Sequence, residues 1–167
     1  IINRTNLTVI AHEGDDTITL GASLDGVITK STLYGGAGAD HYSAASANSN
    51  DTAYIDELDT IGDMGGGVDS VTANAGSGPL NLVVGSNVEF VRGTAGADFI
   101  DGSGLSTSVT ILGYAGNDTI YGGSGNDTLR GGSDDDSIRG GSGNDTLYGE
   151  AGLDKLDGEA NDDTLYF

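Results

Sequence analysis

Between Gly113 and Tyr166 an aliphatic side chain returns at every ninth residue: Ile120, Leu129, Ile138, Leu147, Leu156 and Leu165. That period fits neither the turn of a helix nor the alternation of one long strand. Aligned on it, the chain reads as six consecutive units, GYAGNDTIY, GGSGNDTLR, GGSDDDSIR, GGSGNDTLY, GEAGLDKLD and GEANDDTLY. Positions 7 to 9 run polar, apolar, polar, which predicts a three-residue strand with one side chain turned inward. Position 1 is always Gly, position 4 is Gly in four of the six units and position 2 in three, so positions 1 to 6 are expected to form a turn through left-handed backbone. Each unit is then half a coil. Two units complete one turn of a right-handed parallel β-roll, an all-β solenoid whose alternate strands build two sheets.

The register continues upstream with gaps. Gly93–Asp101 (GTAGADFID) turns Ile100 inward and Gly102–Thr110 turns Val109 inward, with Thr107 at the sixth position. Counting back in nines places Val91 and Leu82 inward, and earlier units starting at Met64, Gly35 and Ala11 do the same for Val71, Tyr42 and Ile18. The stretch Ala44 to Asp63 breaks the period and reads as an irregular excursion. One continuous domain is expected, degenerate over residues 1–92 and regular over 93–167. With 37 Leu, Ile, Val and Phe in 167 residues, a conventional packed core is not.

Charge then becomes informative. The chain holds 26 acidic residues, 21 of them Asp, against 6 Lys and Arg, for a net charge of −20. Such a chain repels nucleic acid and anionic lipid, so neither nucleic-acid binding nor membrane insertion is expected, and no apolar run approaches the roughly 20 residues of a membrane span. There is no Cys, which excludes disulfides and thiolate metal sites. The chain starts at Ile1 without an initiator Met and is read as a piece of something longer.

The acids are not scattered. Position 6 is Asp in all six regular units: Asp118, Asp127, Asp136, Asp145, Asp154 and Asp163. Stacking alternate units puts Asp118 over Asp136 and Asp127 over Asp145, about 4.7–4.9 Å apart, where two carboxylates repel unless a cation lies between them. Carboxylates from two loops, joined by main-chain carbonyls of Gly116, Gly123, Gly125, Gly132, Gly141 and Gly143, offer the 6–8 oxygens that Ca²⁺ takes. Several such ions are expected. Asp134 and Asn161 replace Gly at position 4; both tolerate left-handed backbone and still offer a carbonyl, so Asp134 stands with the candidate ligands. Glu150 and Glu159 replace Gly at position 2. Upstream, Asp98, Asp40, Asp16 and Asp69 occupy the same sixth position.

These units resemble GGxGxDxUx, the RTX or hemolysin-type calcium-binding nonapeptide repeat, strongly over residues 93–167 and loosely before. The resemblance implies type I secretion, passage through a low-calcium cytoplasm unfolded, and an extracellular or cell-surface location. Two parents are compatible with it. One is a structural or adhesive protein of the surface or matrix, and the other is an exoenzyme or toxin for which this is the C-terminal secretion and folding module. No enzyme activity is expected of the chain itself, because His12 and His41 lie in separate turns without a paired acid and read as solvent-facing. A column of Thr128, Thr146 and Thr164 would suit an ice-binding face only if its neighbour were also Thr; Arg130, Tyr148 and Tyr166 stand there, so an ordinary solvated sheet is expected. The last unit ends without a polar cap, which predicts that the module associates end to end or requires a cap, the cover being either a continuation of the parent chain or Ile1, Ile2, Leu7, Val9 and Ile10 of another copy.

Overall fold

The computed structural model describes residues 6–20, 30–44, 50–56, 59–74 and 78–167. Among these residues the chain is all strand and turn, without a helix. The odd strands β1 (Asn6–Ile10), β3 (Lys30–Tyr34), β5 (Asn50–Ile55), β7 (Ser70–Ala73), β9 (Phe90–Arg92), β11 (Thr110–Ala115), β13 (Thr128–Ser133), β15 (Thr146–Ala151) and β17 (Thr164–Tyr166) form one nine-stranded sheet in that order. The even strands make the other wall. There, β2 (Thr17–Leu20), β4 (His41–Ala44) and β6 (Thr60–Ile61) form a three-stranded sheet. A five-stranded sheet follows, built from β8 (Asn81–Val83), β10 (Phe99–Asp101), β12 (Thr119–Gly123), β14 (Ser137–Ser142) and β16 (Lys155–Ala160). Every pairing is parallel, so the chain is a β-solenoid.

The core is a set of stacked columns. Val9, Leu33, Ala53, Val71, Val91, Ile111, Leu129, Leu147 and Leu165 lie in register down the nine-stranded sheet. Leu82, Ile100, Ile120, Ile138 and Leu156 face them from the five-stranded sheet, and Ile18, Tyr42 and Ile61 from the three-stranded one. All but the column ends are buried, which is how a chain with few large apolar residues closes a core. Burial of this one side chain per half-coil is worth about 1.5–3 kcal/mol at a Leu or Ile.

Three expectations need correction. The regular strands run for five or six residues rather than three, because positions 2 and 3 of the following unit stay in the ladder: Gly132 pairs with Glu150 and Ser133 with Ala151. The tight turn is therefore positions 4 to 6. Second, the stretch 44–63 carries β5 and β6, both in register with their neighbours, although 45–49 and 57–58 lie outside the described residues, as do Ile1 and Ile2. Third, the coil before β11 is longer than the regular repeat: Asp98 and Asp118 are 20 residues apart against 18 for Asp118 and Asp136. Thr110 then pairs with Thr128, so Ile111 fills the core column and Val109 stands level with Asp127 instead. Leu105, buried in the same loop, takes up the added length.

The outward columns of the nine-stranded sheet also run its full length. One reads Thr8, Thr32, Thr52, Ser70, Phe90, Thr110, Thr128, Thr146, Thr164, and beside it stand aromatic and arginine side chains. Tyr34 stacks on Tyr54 at 4.6 Å, Tyr148 on Tyr166 at 4.7 Å, and the Arg130 guanidinium lies 4.3 Å from the Tyr148 ring centre.

Candidate metal centre

Each regular Asp sits immediately before its strand, where the chain turns into the sheet, and its side chain is directed into the solenoid. Asp118, Asp127, Asp136 and Asp145 are at most 3% exposed. One oxygen of each is spoken for. The Asp118 N–H donates to Asp136 Oδ1 (2.8 Å) and the Asp136 N–H to Asp154 Oδ1 (3.0 Å). On the other edge, the Asp127 N–H donates to Asp145 Oδ1 (2.8 Å) and the Asp145 N–H to Asp163 Oδ1 (2.9 Å). Each carboxylate thus caps the main chain of the rung before it, and the rungs join into two ladders along the two edges of the solenoid.

The second oxygen is different. Oδ2 of Asp40, Asp69, Asp118, Asp127, Asp136 and Asp145 is buried without a hydrogen-bond partner. A buried anionic oxygen left unpaired costs far more than a neutral one, so the site demands a proton or a cation. Burial is the main cause that pushes the Asp118 and Asp69 carboxyls up to about 7 and those of Asp127 and Asp136 to about 6, with neighbouring carboxylates adding to it and main-chain N–H donors opposing it. Asp145 is raised for the same reason.

The invariant glycines follow from this geometry. Position 1 does not need left-handed backbone; it needs room, because a Cβ on Gly113, Gly122, Gly131 or Gly140 would overlap the Oδ2 of the Asp five residues on. Positions 2 and 4 carry the positive φ, for example Gly141 at 111° and Gly143 at 121°. They also admit the carbonyls of the preceding loop. The Gly123 oxygen abuts Gly141, that of Gly125 abuts Gly143, and that of Tyr114 abuts Gly132. Asp134 (79°) and Asn161 (84°) adopt the same left-handed backbone at position 4. So do Glu150 (76°) and Glu159 (68°) at position 2, each paired to an Arg of the coil below, at 2.9 Å to Arg130 and 3.9 Å to Arg139.

No group of three or more Asp, Glu or His side chains converges among the described residues. An ion held here has to combine carboxylate oxygens with main-chain carbonyls, a hard, all-oxygen donor set that suits Ca²⁺ and leaves softer metals without a ligand. The profile of the RTX calcium-binding nonapeptide repeat matches the chain in four copies, over residues 31–52, 84–104, 110–138 and 130–165. The chain belongs to the RTX calcium-binding repeat family. A search of curated proteins finds no match to it.

The RTX ladders reach beyond the regular repeats. Asp40, buried, accepts the Asp16 N–H (2.8 Å), and Asp59 accepts that of Asp40 (2.9 Å). Asp51 accepts the Ser31 N–H, Asp69 that of Asp51, and Glu89 that of Asp69. Sequence reading finds Asp16, Asp40 and Asp69 and misses Asp51, Asp59 and Glu89. A signal was present in Asp51-Thr52-Ala53 and Asp59-Thr60-Ile61, which echo Asp127-Thr128-Leu129, but no Gly turn precedes them. Asp98 departs from the other rungs: besides the Leu80 N–H, its oxygens accept the Thr94 N–H (2.6 Å) and hydroxyl (2.7 Å), so the protein itself satisfies them. Asp154 and Asp163 are half-buried at the open end of the ladders, and His12 and His41 are exposed.

Proposed function

We propose that this chain is a non-catalytic module of a secreted surface or matrix protein, which folds when its two ladders bind several Ca²⁺ ions through the Oδ2 atoms and the loop carbonyls. The row of buried Oδ2 atoms without partners carries the reading. Without an ion, folding must either bury repelling charges or protonate them, and a one-residue-wide core has little surplus to offset that cost against chain entropy. With the ion, the same atoms become the contact that joins coil to coil. Coupling of this kind keeps the chain unfolded where calcium is scarce and folds it outside the cell, which suits export by type I secretion.

End-to-end assembly belongs to the same reading, and light scattering of the chain in calcium tests it: association that rises with concentration supports it and a stable monomer rejects it. The mass of the native polypeptide separates a structural parent from an exoenzyme or toxin. The binding itself is tested by calorimetric titration of calcium. Asp127→Ala should weaken binding about tenfold or more, whereas Asp135→Ala, at an exposed fifth position, should change it little. Equal losses would assign the binding to general negative charge and reject the ladder.

A further inference from the structure

Arg92, Arg130 and Arg139 stand at one kind of position, on the outward side of a strand and two residues short of the second-position residue of the coil that follows. Arg130 is level with Tyr148, and two residues on Glu150 returns to it at 2.9 Å; Arg139 is level with Asp157, and Glu159 returns to it at 3.9 Å. Arg92 is level with Leu112, and the residue two further on is Tyr114. No carboxylate comes back to it. Among the described residues neither ion pair includes Arg92, whose guanidinium has the Phe90 ring centre 5.8 Å away, and Ala75, Gly76 and Ser77 bring no acid from the adjoining stretch.

Tyr114 is strained where it stands. It holds left-handed backbone at φ 85°, which a bulky side chain rarely adopts, and it pairs with Gly132, the residue that suits this position. Glu150 and Glu159 offset part of the same strain through their Arg partners. The Tyr114 side chain has no such compensation: among the described residues it makes no hydrogen bond or ring contact, and it is 49% exposed. What it forms is a wall. Tyr114 and Arg92 line a surface cavity of about 480 Å³ together with Thr72, Ala73, Asn74 and Thr94. Tyr114 also borders the next groove, where Glu150 and Arg130 meet. The second groove brings its own carboxylate and the first does not. Strain kept at an otherwise uncommitted residue beside a cavity is characteristic of a ligand clamp.

We propose that Arg92 and Tyr114 form a binding site for a small aromatic carboxylate, whose charged end takes the place on Arg92 that Glu150 takes on Arg130 and whose ring lies against Tyr114. A guanidinium fork matches a carboxylate through two parallel hydrogen bonds, and an aromatic body suits a cavity walled by a ring, Ala73 and Thr side chains. The test is an NMR titration of the full chain in saturating calcium and about 0.15 M salt, where charges beyond about 8 Å are screened, with 3-phenylpropionate and its neutral amide as probes. The acid should shift the Arg92 side-chain N–H and the Gly93 and Thr94 amide signals, and should bind at least about tenfold more tightly than the amide. Tyr114→Glu supplies the carboxylate from within, and Arg92→Gln removes the guanidinium; each should weaken binding of the acid about tenfold or more. Tyr114→Gly, which installs the residue the backbone favours, should weaken binding without lowering the thermal midpoint, a split that a purely structural tyrosine would not give. Equal binding of acid and amide, or binding of the acid unchanged in Arg92→Gln and Tyr114→Glu, would overturn the site, as would the absence of any shift at about 20 mM acid.

Discussion

The Asp136 carboxylate occupies the space that a side chain on Gly131 would need. A Cβ built at Gly131 overlaps Oδ2 and lies 2.5 Å from Cγ and 2.8 Å from Cβ of Asp136. The pairing of Gly at position 1 with Asp at position 6 is therefore steric, and it recurs at Gly140 and Asp145 on the other edge.

Replacing Gly131 by Ala should thus destabilise the calcium-loaded protein by about 1–3 kcal/mol, the usual cost of overfilling a packed site. Gly104 is the control: its Cβ would meet nothing within 4 Å and its φ is not left-handed. Gly104→Ala should stay within about 0.5 kcal/mol of wild type. Denaturant unfolding in saturating calcium compares the two; equal effects would remove the steric account of the first position.

Acidification should stabilise the ion-free protein. An unfolded Asp titrates near 3.9. In the fold, Asp118 and Asp69 rise to about 7 and Asp127 and Asp136 to about 6, chiefly through burial. Between those values the folded state holds more protons, so stability is greatest below about pH 4 and is lost as pH rises through 7. In calcium-free buffer, far-UV circular dichroism should show more β structure at pH 4.5 than at pH 8, and more β structure at pH 8 would contradict the burial of these carboxylates.

Glu150 carries left-handed backbone at 76° in exchange for an exposed ion pair with Arg130. The strain costs roughly 1–2 kcal/mol and the pair returns about 0–1 kcal/mol. Glu150→Gly loses the pair, relieves the strain and gains unfolded-state entropy, and is expected within about 0.5 kcal/mol of wild type. Glu150→Ala keeps the strain without the pair and should be the less stable variant by chemical denaturation. The opposite order would mean that the ion pair outweighs the backbone.

Legibility tracks coil length. Where coils are 18 residues, the column Leu129, Leu147, Leu165 and the rungs Asp127 and Asp145 can be read by counting. Upstream, separations of 24 between Asp16 and Asp40 and 20 between Ser31 and Asp51 break the count, and Asp51 and Asp59 escape although their local tripeptides match the regular units. Val109 shows the converse error: it is inward, as the alternation predicts, but a longer loop shifts it from the strand column to the carboxylate rung. The identity of the first-position Gly was legible and its cause was not, because a turn and a close approach leave the same residue in the sequence.

Far-UV circular dichroism of the whole chain at neutral pH, in chelator and then in millimolar calcium, reads the coupling of ion and fold directly. The buried, unpartnered carboxylates predict a largely disordered spectrum in chelator that converts to a β spectrum as calcium is added. A β spectrum already complete in chelator, and unchanged by calcium, would contradict it.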